Sequence, residues 1–357
     1  MQTFRNRLFL PLKFYFDKKA RNLHFIFFEL THKCNLNCRH CGSDCTKDGS
    51  SNDLPADIVI KTLNEIKAKY DPHRIMVILS GGEPTIYPGM WDLAGKITNL
   101  EFSLGMVTNG LNWDKETIKK AKESRFHSIT VSIDGLEESH NWLRGNVSSF
   151  RKAKNALKMI LDTPEIYKKD VITCVNKRNI KELDKIYQML KETGLKRWRL
   201  TSVDPIGRAG KDPDLFLEPE DFVRLLEKIR EFRNRKEMQV MYGDNGYFGP
   251  CYENEVRPRP FFCSAGINVA GIMVDGAILA CPNIDRKFSQ GNIYKDSFID
   301  VWENRFKPFT DRSWKKTGKC SDCSEWSLCQ GGPMHLWKHD EKTLSLCHFK
   351  DLIEKKR

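Results

Sequence analysis

The stretch "HFIFFELTHKCNLNCRHCGSDC", residues 24–45, passes from an apolar run into a cysteine-rich loop. The run HFIFFEL (24–30) predicts a buried strand. The loop then sets Cys34, Cys38 and Cys41 in a C-x3-C-x2-C array, with Cys45 close behind. Three thiolates are one too few for a closed tetrahedral metal site. Taken alone, the array reads either as an iron–sulfur cluster with one open iron or as a zinc knuckle completed by Cys45.

Outward from this stretch, strand-like and helix-like patterns alternate to about residue 203. Further strands are predicted at RIMVILS (74–80), FSLGMVT (102–108), SITVSID (128–134), VITCV (171–175) and RWRLTSV (197–203). Amphipathic helices are predicted over 56–70, 116–123, 148–161 and 179–192, where apolar residues recur at helical intervals. Repeats of roughly thirty residues imply parallel strands with right-handed crossovers. The predicted fold is α/β, a partial (β/α)6 TIM-like barrel. Chemistry in such folds gathers at the C-terminal strand ends. The cysteine loop, SGGEP from Ser80, TNG from Thr108 and SIDG from Ser132 all begin there.

Beyond Val203 the pattern changes. A helix is predicted over 218–236, and the Gly- and Pro-rich stretch 242–260 reads as a boundary. Asp244, Tyr247 and Tyr252 lie in that stretch as possible cavity residues. The expected organisation is an N-terminal extension (1–23), a core barrel (24–205), a helix and linker (206–260), a smaller cysteine-rich domain (261–350) and a basic tail (351–357). In the cysteine-rich part, Cys263-x12-Gly276-x4-Cys281 precedes Cys320-x2-Cys323-x5-Cys329, and Cys347 follows after a gap.

At 357 residues the chain buries enough surface to need no disulfides. Its twelve cysteines gather at 34–45 and 251–347, with Cys174 apart in a strand as a core thiol. Without a secretory signal, such clusters imply metal or redox sites in a reducing, cytoplasmic setting. The N-terminus mixes Arg and Lys with aromatics and reads neither as a signal peptide nor as a spanning helix. A net charge of +12 reads mostly as a solvated surface and otherwise as attraction for an acidic partner. Nucleic acid is disfavoured, because basic residues are spread and no recognition motif is present.

The array followed by GGEP, TNG and SIDG at strand ends resembles the radical S-adenosylmethionine (SAM) superfamily over about residues 24–203. The resemblance implies a [4Fe–4S] cluster on Cys34, Cys38 and Cys41, with SAM chelating the open iron and yielding a 5′-deoxyadenosyl radical on reduction. Cys45 stands outside that triad. His40 takes the place of an aromatic beside the adenine. Gly81, Gly82, Glu83 and Pro84 would meet the SAM amino group, and Asn109, Ser132, Asp134 and Arg144 its carboxylate or ribose.

Residues 263–347 resemble the SPASM extension of radical enzymes that modify peptides and proteins. That signature implies auxiliary [4Fe–4S] clusters, but Pro333 stands where the family has a cysteine. Two arrangements follow. In one, Cys320, Cys323, Cys329 and Cys347 hold an outer cluster, while Cys263 and Cys281 hold an inner one with Cys251. In the other, Cys263, Cys281, Cys320 and Cys323 share a single cluster, as in the Twitch variant. A zinc ribbon over 320–347 would leave Cys263 and Cys281 unexplained. His335, His339 and His348 are expected to be exposed, and Trp198, Trp302, Trp314, Trp326 and Trp337 to be packing residues.

The implied substrate is a ribosomal peptide or a protein side chain, with a small-molecule precursor as the alternative and a zinc-stabilised scaffold as the non-enzymatic one. The implied partners are an acidic electron donor of flavodoxin or ferredoxin type and, since only some 23 residues precede the barrel, a separate leader-peptide-binding protein if one is used.

Overall fold

The computed structural model describes residues 2–354 apart from Asp244, with side chains from residue 9 onward. Seven parallel strands build the core: β1 (Phe25–Thr31), β2 (Met76–Gly81), β3 (Ser103–Thr108), β4 (Ser128–Ser132), β5 (Lys168–Val175), β6 (Arg197–Ser202) and β7 (Gln239–Tyr242). The six expected strands are all present, and β7 extends the sheet past β6.

Helix α1 (Gln2–Ala20) packs on the C-terminal segment, where Phe14 stacks on Phe262; the other helices on the outer side are α2 (Ala56–Lys69), α3 (Met90–Asn99), α4 (Lys115–Glu123), α5 (Glu137–Arg144), α6 (Ser149–Leu161), α7 (Leu183–Glu192) and α8 (Pro219–Arg235). Each apolar stripe lies against the sheet, as with Val59, Leu63 and Ile66 of α2 and Leu183, Ile186 and Leu190 of α7. Among the described residues no helix is long and apolar enough to cross a membrane.

The cysteine-rich segment does not begin as a separate body. Strand β8 (Val269–Ile272) pairs in parallel with β1, and β9 (Ala277–Leu279) and β10 (Gly291–Asn292) continue the same sheet antiparallel. The order is β10-β9-β8-β1-β2-β3-β4-β5-β6-β7, one sheet of ten strands. An unpaired β1 edge would leave a row of open amide and carbonyl groups, and VAGI supplies the partner. Trp198, Trp302 and Trp337 are buried and Trp314 and Trp326 half-buried against the core. At the C-terminus, residues 348–353 form a helical turn with Ile353 buried, so the expected tail starts inside an ordered element; residues 355–357 lie outside the described residues.

Candidate functional site at the strand ends

The cysteine loop leaves β1 and is closed at its base by a bridge between Lys33 and Thr46. Cys34 N donates to Thr46 O at 2.7 Å, and Thr46 N to His32 O at 3.2 Å. Cys34, Cys38 and Cys45 are buried together, with Cys41 half-buried beside them. Each triad sulfur meets an N–H donor: Asn109 Nδ2 at 3.9 Å from Cys34, Arg144 Nη1 at 3.7 Å from Cys38, and Cys45 N at 3.4 Å from Cys41. Burial pushes the Cys34 thiol up to about 12. Cys41 is instead lowered to about 6, first by its hydrogen bond from Cys45. Burial favours the neutral thiol at Cys34 and Cys38, and the donors aimed at these sulfurs suit the negative charge of a thiolate-ligated cluster. Two buried polar atoms of the same loop, Asn35 Nδ2 and His40 Nδ1, have no partner in the protein. Both facts fit a cluster and a polar ligand at this loop.

Gly81 and Gly82 seat the loop. A Cβ on Gly82 would fall 1.9 Å from Lys33 O, and one on Gly81, at φ 124°, 2.3 Å from Thr31 O. Gly82 N donates to Thr31 O and Glu83 N to Lys33 O across the same contact. Glu83 is buried. Its carboxylate accepts from Thr85 Oγ1 (2.7 Å), Thr108 Oγ1 (2.8 Å) and Asn109 N (2.8 Å), and so ties the end of β2 to the end of β3. Burial raises its pKa, and these bonds work against that rise. Pro84 opens a short 3-10 turn directly behind it. Asn109 also donates to Asn35 Oδ1 at 2.8 Å.

Ser132 ends β4, buried. Two residues on, Asp134 is fully buried, and its Oδ2 accepts from Arg144 Nε at 2.6 Å and pairs with Nη2 at 2.5 Å. The guanidinium fork expected to take a ligand carboxylate is thus engaged by a carboxylate of the chain. Burial alone would raise the Asp134 carboxyl, but the Arg144 guanidinium holds it below its usual range. His40 lies 3.9 Å from Asp134, and burial lowers it to about 4, so it is neutral. His40, Asp134 and Cys174 converge closely enough to suggest a cation site, but Arg144 already neutralises Asp134. Cys174 is half-buried facing this group rather than sealed in the core.

Sequence reasoning missed two supports. His140 is fully buried; its Nδ1 accepts from Asp134 N at 3.0 Å, and its Nε2 faces Ser149 Oγ at 2.9 Å. Arg208, from the loop after β6, donates to Cys38 O (2.9 Å) and Cys45 O (2.8 Å). Gly207 before it, at φ 56°, packs so close that a Cβ would sit 2.3 Å from Gly42 O.

In the C-terminal segment, Cys320, Cys323, Cys329 and Cys347 line one pocket together with Tyr247 and Pro333. Burial raises Cys329 and pushes Cys347 up to about 11. Four thiols lining one pocket fit one cuboidal cluster. Cys263 and Cys281 are not in that lining, although Cys263 packs against the same apolar cluster as Cys329, and Cys251 is exposed. The space toward Cys263 holds two fully buried cations. Arg312 donates to Cys263 O and Phe309 O, and Lys315 Nζ to Gly332 O at 2.8 Å. Burial, then Arg312, lowers Lys315 to about 7. Cys263 and Cys281 bring only two thiols to this second place, fewer than the four of a further four-thiolate cluster.

His335 and His348 are not exposed. Both turn on Asp204, just past β6: His335 Nε2 is 3.0 Å from Oδ2 and His348 Nε2 3.3 Å from Oδ1, with Asn245 Nδ2 donating to Oδ2 at 2.9 Å. A buried carboxylate needs partners; His335 and Asn245 bond its Oδ2, while His348 faces Oδ1 at ion-pair distance without a hydrogen bond. Only His339 is exposed. Tyr247 OH bonds Glu325, and Tyr252 OH bonds Glu227 of α8. Asp244 lies outside the described residues.

Comparison with known proteins agrees with this geometry. The radical SAM superfamily model matches residues 28–190, and the SPASM iron–sulfur cluster-binding domain model matches residues 263–324. The AdoMet-dependent heme synthase of Methanosarcina barkeri is 25% identical over 323 residues, covering 86% of this chain and 90% of that protein. The mycofactocin maturase of Mycobacterium tuberculosis is 27% identical over 312 residues, covering 86% and 77%. The crystal structure of Streptococcus suis SuiB bound to precursor peptide SuiA superposes with a TM-score of 0.68 at 18% identity, covering 88% of this chain and 73% of that one, a likeness of fold.

Proposed function

The chain belongs to the radical SAM superfamily and carries a SPASM iron–sulfur domain, and from that premise we propose that it oxidatively modifies a peptide or protein side chain. Bound together, a [4Fe–4S] cluster and SAM supply a 5′-deoxyadenosyl radical that takes a hydrogen atom from the substrate. Cys34, Cys38 and Cys41 hold that cluster, and Asn109, Arg144 and the Cys45 amide donate to their sulfurs. Asn35 and His40 offer their unpartnered atoms to SAM, with Ser132 and Asp134 at the same mouth. Cys320, Cys323, Cys329 and Cys347 hold one auxiliary cluster. Cys263, Cys281 and Cys251 hold none.

The observation that carries the reading is the Asp204 clasp. It ties His335 and His348, next to the auxiliary cavity, to the end of a barrel strand. A substrate at the mouth is then flanked by both metal sites, the arrangement an oxidation needs once hydrogen has been removed. The peptide class is supported by the maturase and by the peptide-bound SuiB fold. A second reading, an iron tetrapyrrole as substrate, is favoured by the heme synthase, whose own length is 90% covered. In either case the basic surface suits an acidic flavodoxin or ferredoxin donor.

Anaerobically reconstituted protein with SAM, dithionite and peptides encoded beside its gene tests this. Equal amounts of 5′-deoxyadenosine and a peptide lighter by two hydrogens support the proposal. An unchanged peptide and a converted iron tetrapyrrole support the second reading. Absence of 5′-deoxyadenosine with every substrate overturns both.

A further inference from the structure

Cys45 is the one thiol of the first loop with no assigned task, yet the fold goes to some length to place it. It is 2% exposed, in one buried group with Cys34 and Cys38. The bridge between Lys33 and Thr46 pins its neighbour beside the strand that delivers Cys34. Asp44 takes the left-handed conformation at φ 51°, which a non-glycine residue adopts at a cost. Arg208 holds the turn from outside, donating to Cys45 O at 2.8 Å and pairing with Asp44 at 3.2 Å. The Cys45 amide donates to the Cys41 sulfur at 3.4 Å, which places its thiol beside the triad, and the thiol's own acceptor, Ser43 O, is distant at 3.8 Å. The loop therefore presents four thiols, and the only one outside the triad is fixed against a triad sulfur.

We propose that Cys45 is a displaceable fourth ligand, closing the open iron of the cluster while SAM is absent and yielding its place when SAM binds. The inference rests on Cys34, Cys38 and Cys41 being the permanent ligands. The exchange is redox-neutral. One iron–sulfur bond forms as the thiol proton leaves to solvent, and SAM binding breaks that bond and returns the proton. Closure protects a site-differentiated iron that is otherwise the first lost to oxidants, and it makes SAM compete with an internal thiolate.

The test follows loss of that iron rather than turnover. Full-length protein, anaerobically reconstituted and free of SAM, is treated with limiting ferricyanide, and the [3Fe–4S] signal is followed by electron paramagnetic resonance. Cys45→Ala is expected to convert at least tenfold faster than the unaltered chain, and saturating SAM to bring the two rates together. Cys45→Ser separates ligation from hydrogen bonding, since serine keeps a donor toward Cys41 but is a poor iron ligand. Behaviour like Cys45→Ala supports ligation. Behaviour like the unaltered protein overturns it, as do equal rates for all three without SAM. Should Cys45→Ala fail to assemble, the serine variant alone decides. Iron content distinguishes this from failure of the underlying assignment: if replacing Cys34, Cys38 and Cys41 by Ala leaves iron unchanged, the triad itself is wrong.

Discussion

At the scale of single residues, the site depends on a buried ion pair and a neutral histidine. Arg144 and Asp134 sit at 2.5 Å with almost no exposure. Removing one partner strands the other's charge, so Arg144→Met is expected to cost about 3–5 kcal/mol in denaturant unfolding. Arg144→Met with Asp134→Asn should cost less than Arg144→Met alone, because no uncompensated charge remains. His140 is held neutral by burial, its pKa lowered to about 3, and its Nδ1 must stay an acceptor for Asp134 N. The unfolded chain takes up that proton first, near pH 6.5. Stability is therefore full above about pH 6.5 and falls as pH drops toward about 3, by about 1.4 kcal/mol per unit. Urea unfolding between pH 6.5 and 5 should show a shallower pH slope for His140→Gln. The cysteines were legible in the sequence because spacing alone announces thiolate ligands. His140 and Arg208 were not, because their partners are 6 to 170 residues away and meet them only in space.

At the scale of elements, the cysteine loop is seated by neighbouring turns more than by its own residues. The GGEP turn and the turn at Gly207 both press backbone against it, leaving no room for a methyl group. Gly207→Ala combines a clash with Gly42 O and a left-handed φ that costs roughly 1 kcal/mol or more in a non-glycine residue. It is expected to lower iron occupancy at the first loop, by about four atoms per chain if occupancy is lost. Iron held by Cys320, Cys323, Cys329 and Cys347 should stay; iron and sulfide analysis of the variant, read against the triad-alanine protein, checks this. The six strands were legible from their apolar runs, and α2, α6 and α7 from their periodicity. The short helix α5, EESHNWLR, was not: it is mostly polar, and buried Leu143 and Arg144 give it only a partial stripe. Strand β8 was missed for another reason. Four residues, VAGI, carry no period, and only the vacant edge of β1 makes them a strand.

At the scale of the molecule, the count of metal sites separates the arrangements the sequence left open. Four thiols share a cavity, while two others lie near buried Arg312 and Lys315. Iron analysis should give about eight atoms per chain, unchanged by Cys263→Ser with Cys281→Ser and lowered by about four in Cys329→Ser. Lys315 lies within electrostatic reach of Cys329 and Cys320. Replacing it by Met removes a positive charge that favours the reduced, more negative cluster. The auxiliary midpoint should move negative, on the order of tens of millivolts, in a spectroscopic redox titration. The shared sheet has a further consequence. Since β8 is hydrogen-bonded along β1 from Phe25 to Phe28, the cysteine-rich portion is not an appendage that an engineer can clip off or transplant. A chain stopped near residue 260 would bare the first strand of the barrel at the very point from which the cysteine loop departs, inviting a second molecule to dock there in its stead.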